Sequence, residues 1–100
     1  MSTVTTALRE EAESIFTDLG YTVTPQGGEM RAERKWRVVQ VTPMAEPEDP
    51  PSSGELRCFV THAETVPTLE RKLNAESLEY EWAIIGVEND EDYVVSRRPA

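Results

Sequence analysis

Apolar residues recur near the start of the chain at steps of three and four. Val4, Leu8, Ala12, Ile15, Phe16 and Leu19 fall on one stripe, while Arg9, Glu10, Glu13 and Asp18 fall mostly outside it. That period predicts an amphipathic helix from about Thr3 to Leu19. Gly20 follows the last apolar position as a left-handed cap, which sets Tyr21 to touch Phe16 in a Schellman closure.

The pattern then changes to strands. Tyr21 and Val23 read as a short strand running into the turn Pro25-Gln26-Gly27-Gly28, and a second strand begins near Glu29 with Met30 and Ala32 alternating against charges. After Glu33-Arg34-Lys35, the run Trp36 to Val41 loses its alternation and reads as a central strand that Pro43 ends. Leu56, Cys58 and Val60 alternate with Arg57, Phe59 and Thr61 as a further core strand. Pro67 opens a helix of about three turns, turned inward at Val66, Leu69 and Leu73. Trp82 to Val87 reads as a strand buried on both faces, and after an acidic turn Tyr93-Val94-Val95 returns as its hairpin partner. Strand, helix, strand implies one right-handed crossover between parallel neighbours, and the short turns elsewhere imply antiparallel pairing. The expected fold is α+β, in the order α-β-β-β-β-α-β-β: a mixed, mostly antiparallel sheet of five or six strands with two helices packed on it.

Between positions 43 and 54 lie four of the chain's seven prolines, with Glu46, Glu48 and Asp49 among them, which predicts a mobile loop. With 100 residues, 38% of them hydrophobic, the chain holds one modest core, so residues 1–100 are expected to form a single domain. Cys58 is the only cysteine, and the N-terminus lacks the basic start and apolar stretch of a secretory signal. The longest apolar run, Trp82 to Val87, is far short of the ~20 residues a bilayer crossing needs. A cytoplasmic protein with no membrane span is the expectation.

Charge sharpens that picture. Nineteen Asp and Glu stand against ten Lys and Arg, a net charge of -9, and eight of the ten bases are Arg, leaving Lys35 and Lys72. Self-repulsion on such a surface is screened by dissolved salt, with a Debye length of roughly 3 Å at 1 M. Guanidinium is also more weakly hydrated than ammonium and competes better for carboxylates. In this usage the chain resembles the short uncharacterised proteins of haloarchaea, although a GC-rich genome favouring Arg codons in an ordinary acidic protein gives the same signature. The element order also resembles two folds. One is the type III secretion chaperone and YbjN-like fold, whose α-β-β-β-α-β-β core covers nearly the whole chain apart from a final helix; this resemblance implies a binding role. The other is the PD-(D/E)xK nuclease core, with the strand from Leu56 and the helix from Pro67 where that fold places its metal site. That chemistry needs an Asp on the second strand and an acidic-x-Lys on the third. Here no Asp lies between Gly20 and Pro43, and Glu55-Leu56-Arg57 puts Arg in the place of Lys.

Few residues offer chemistry. Cys58 and His62 lie four apart on one strand, hence on one face, but four strand residues span roughly 13 Å, too far for direct proton transfer. A core cysteine and a strand-end histidine are expected. Glu88, Asp90, Glu91 and Asp92 crowd one turn with oxygen ligands suited to Ca²⁺ or Mg²⁺, yet without the Gly and later bidentate Glu of an EF-hand. Hydrated surface is the expected role, with no metal and no cofactor, and Glu88, Asp90 and Asp92 as the candidates should an ion bind. Arg31, Arg34, Lys35 and Arg37 give the stretch Glu29 to Arg37 a charge of +2, four bases less Glu29 and Glu33, against -11 for the remainder. If the chain reverses near Glu33 to Lys35, these bases gather at a hairpin tip beside Trp36, able to hold phosphate, stack on a base or face an acidic partner. Trp36 and Trp82, each within an apolar run, are both expected in the core. The functional expectation is a non-enzymatic module that binds another protein, or itself, through a sheet face or edge. The alternative is a nucleic-acid-binding or degenerate nuclease-like domain using the basic patch.

Overall fold

Leu8, Ala12, Ile15 and Phe16 are the buried stripe of helix α1 (Thr3–Asp18). Past Leu19 the Tyr21 N–H donates to the Phe16 carbonyl at 2.9 Å and the Gly20 N–H to that of Thr17 at 3.0 Å, with Gly20 at φ 93°. Those two bonds are a Schellman closure, and the Phe16 and Tyr21 rings meet edge to face with centroids 5.3 Å apart. The structure, a computed structural model, describes residues 3–48, 50, 51, 54–76, 78–88 and 92–97, with the side chains of 3–6, 96 and 97 left aside.

The strands are β1 (Thr22–Gln26), β2 (Glu29–Arg34), β3 (Arg37–Pro43), β4 (Leu56–His62), β5 (Glu81–Val87) and β6 (Tyr93–Arg97), and helix α2 (Val66–Ala75) follows a single 3-10 turn at Ala63–Thr65. They form one six-stranded sheet in chain order, β1 to β6. Pairings β1–β2, β2–β3 and β5–β6 are antiparallel; β3–β4 and β4–β5 are parallel. The α+β class and the element order agree with the sequence pattern. The sheet has two parallel pairs where a single helical crossover was expected, because the segment after Pro43 returns the chain to the start of β4 without a helix. Its described residues are fastened at several points. The Met44 N–H donates to Val60 and the Glu81 N–H to the Glu55 carbonyl, the Tyr80 hydroxyl donates to the Pro51 carbonyl at 2.7 Å, and the Met44 side chain is buried.

Alternation along the strands divides the core in two. On one face α1 covers Met30, Ala32, Val39, Val41, Cys58, Val60, Ile85 and Val87. On the other, Met44, Phe59, Leu69, Leu73, Tyr80, Trp82 and Ile84 pack beneath α2 and the Pro-rich segment. Gly86 lets α2 come close: a Cβ there would stand 2.5 Å from Val66 Cγ2 and 2.9 Å from Ala63 Cα. Since α2 lies over β4 and β5, the same face of β1 to β3 is left to polar side chains and the exposed Val38. None of the described helices is long and apolar enough to cross a membrane.

Candidate interaction surface

β2 and β3 are joined by two residues, Lys35 and Trp36, with Arg34 and Arg37 paired across the reversal. A two-residue hairpin loop asks for positive φ at its first position, where glycine is usual. Lys35 takes it at φ 55°, the one described non-glycine residue to do so, at a cost of about 1 kcal/mol. The indole of Trp36 is thereby thrown outward, 96% exposed. This corrects the core placement expected for Trp36: the apolar run begins after the turn, and Trp36 belongs to the turn. Trp82 is in the core at 4% exposure, as expected.

Period-two alternation sorts the four bases. Arg34 and Arg37 share the face of buried Ala32 and Val39, on the α1 side, whereas Arg31 shares the opposite face with Val38. Arg34 lies by Gly20, its Nε 3.5 Å from where a Cβ would stand, so a cation sits at the carbonyl end of α1, where the helix dipole favours it. Around the tip, Tyr21, Arg34, Lys35, Trp36, Arg37, Val38 and Leu56 line an open groove of about 640 Å³. Arg31 stands apart from it and pairs with Glu33, Nη2 to Oε2 at 3.3 Å, both side chains about half-exposed. The structure therefore gathers Arg34, Lys35 and Arg37 with Trp36 and leaves Arg31 out. Counting spacing along the strand would have separated them, since positions three apart on a strand face opposite ways.

A second polar constellation was missed in the sequence. Arg57, only 6% exposed, donates from Nη1 to Glu29 Oε2 at 3.0 Å; Thr42 Oγ1 donates to the same oxygen at 2.9 Å. The Arg57 guanidinium also stands 5.6 Å from the centre of the Tyr80 ring. Burial pushes the Tyr80 hydroxyl above its ordinary pKa, Arg57 pulls it down and Glu29 adds to the rise. Arg57, the last residue of the nuclease-like Glu55-Leu56-Arg57, is thus a structural cation tying β4 to β2 and the Tyr80 ring, and Glu55 is exposed. The sequence signal was an arginine near the start of a strand that reads as core, between Leu56 and Cys58, where a buried cation must find a carboxylate.

The remaining candidates are dispersed. Cys58 is buried under α1, and His62 is half-buried where β4 ends. Glu88 and Asp92 are exposed and joined by the Glu88 N–H to the Asp92 carbonyl at 2.9 Å; Asp90 lies outside the described residues. Among the described residues no group of three His, Cys, Asp or Glu is placed to hold a metal ion. Every described Asp and Glu is exposed or half-exposed.

Residues 9–96 match the model of one protein family, a family of unknown function (DUF7116). No curated protein matches the chain.

Proposed function

Because the chain belongs to this family of unknown function (DUF7116), we propose a role from its surface alone: a non-enzymatic interaction module that grips an acidic protein partner with the β2–β3 tip. The observation that carries the reading is the fully exposed Trp36, held out by a turn that costs backbone strain and flanked by Arg34, Lys35 and Arg37. Leaving an indole in water gains a monomer nothing, whereas a buried tryptophan at an interface commonly contributes 2 kcal/mol or more, roughly the scale of an anchoring residue. The three cations are the local exception to a net charge of -9, so they favour a carboxylate-bearing contact and orient it. The carboxylates elsewhere keep the molecule dissolved in a salty cytoplasm, the setting their exposure and the preference for Arg over Lys support.

A second reading has support in the same feature, since an exposed aromatic among cations also suits a single-stranded nucleic acid, the base stacked on Trp36 and the phosphates on Arg34 and Arg37. One titration separates the two. A Trp82→Phe variant leaves Trp36 as the sole indole. Its emission should shift to the blue on adding a Glu-rich peptide bearing one aromatic residue. Quenching by an oligonucleotide, with affinity falling steeply as KCl rises, would transfer the assignment to nucleic acid. Silence toward both probes would remove the tip as a contact surface.

A further inference from the structure

The two edges of the sheet are unlike. β1 carries Pro25, which brings no N–H to its edge, and the glycines of the next turn follow at once; this is how edge strands are blunted. β6 has no such protection. Its sequence Tyr93-Val94-Val95-Ser96-Arg97 contains neither proline nor acid. Val94 and Val95 stand on opposite faces of the sheet, 43% and 54% exposed. Among the described strands β6 pairs with β5 alone, so alternate backbone N–H and C=O groups on its other side turn outward, ready for another strand. Val95 also lines an apolar groove on the α1 side with Leu19, Leu56 and Ala83.

Charge points to which strand fits. A chain of net charge -9 meets its own copy most readily along an acid-free stretch, and β6 is one. The strand is entered from the acidic turn, where Glu88 and Asp92 are exposed, and left through Arg97 and, next in the sequence, Arg98. Antiparallel pairing with a copy sets the acidic entry of each strand against the basic exit of the other, twice over; parallel pairing would set like against like. We infer that the protein forms a two-fold homodimer in which β6 pairs antiparallel with β6 of a second copy, centred on Val95. In that register Val95 meets its own counterpart and Tyr93 stands across from the position of Arg97. The two-fold axis runs perpendicular to the sheet, both α1 helices lie on one side, and the two apolar grooves adjoin. Arg37 also lines this groove, but the pairing itself is made by β6, and neither Lys35 nor Trp36 lines the groove, so loss of the dimer in a β6 variant and loss of a contact at Trp36 are separate outcomes.

Light scattering coupled to size-exclusion chromatography in molar KCl tests this over a range of protein concentrations. The wild type should weigh as a dimer at tens of micromolar. Val95→Lys should dissociate it at least about tenfold more readily, and Thr24→Lys on the blunted edge should leave it unchanged. Circular dichroism checks that each variant folds. Should Val95→Lys unfold, oxidation of Val95→Cys decides: facing positions at the centre of an antiparallel pair lie about 4.5–5.5 Å apart, within disulfide reach, and Thr24→Cys should stay uncrosslinked. A wild type that is monomeric throughout, with no crosslink at Val95→Cys, overturns the proposal. So does a dimer that survives in folded Val95→Lys, or a monomer whose β6 amides respond to an extended peptide instead.

Discussion

Single atoms decide two of the tightest points. A Cβ on Gly86 would meet Val66 Cγ2 at 2.5 Å and the Ala63 backbone at 2.9 Å. Gly86→Ala should therefore push α2 off the sheet and cost about 1–3 kcal/mol in urea denaturation. Tyr80 makes a second prediction, through pH. Its hydroxyl donates to Pro51 and its pKa lies above the ordinary 10.0, so the fold holds this proton more tightly than the unfolded chain does. The resulting stability is complete below the unfolded value and is lost as pH rises through the folded one. Tyr80→Phe should lose about 1 kcal/mol at neutral pH, the scale of one hydrogen bond, and should flatten the alkaline fall of stability. Equal alkaline slopes in the two proteins would contradict the assignment. At this scale Trp82 was legible as core, because it opens the longest apolar run of the chain, Trp82 to Val87. Trp36 was not, because its exposure depends on Lys35 taking a positive φ, and lysine announces no such preference.

Elements were legible where their signals are local. Helix α1 and its closure at Gly20 were readable because the cap chemistry lies within a few residues of the helix end, and the prediction is correspondingly local. Gly20→Ala forces a side chain into φ 93°, so thermal unfolding should show a loss of about 1 kcal/mol. The parallel pairing of β3 with β4 was not legible. It rests on Met44, Tyr80 and the Arg57–Glu29 pair, contacts that join distant parts of the chain and leave no periodic trace. Arg57→Ala tests whether they act as a unit. It removes the cation from Glu29 and from the Tyr80 ring together, for a loss of about 2 kcal/mol in chemical denaturation, less than for a fully buried pair because Glu29 keeps some water. Charge clustering singled out Arg31, Arg34, Lys35 and Arg37, to be gathered if the chain reversed near Glu33 to Lys35; the turn at Lys35 and Trp36 meets that condition for the last three. The exclusion of Arg31 follows from strand alternation, since Arg31 and Arg34 lie three apart on β2 and face opposite ways.

Across the described residues the acids are exposed or half-exposed, and the β2–β3 tip gathers three cations against that field. Screening the repulsion among exposed carboxylates should raise Tm by about 5 °C or more between low and molar KCl, roughly 1 kcal/mol for a domain of this size, and a flat or falling Tm would detach the acidic surface from a salty setting. What the composition announced was this global field; what it withheld was where the cations gather, since that depends on the β2–β3 register. The most direct measurement is a quantitative capture from a native extract in molar KCl, with wild type and Trp36→Ala immobilised side by side. Removing an exposed side chain leaves the fold intact by circular dichroism, so proteins enriched on the wild type should be lost from the variant. The same set recovered by both, or none enriched by either, would contradict the claim that Trp36 and its flanking cations are the contact surface.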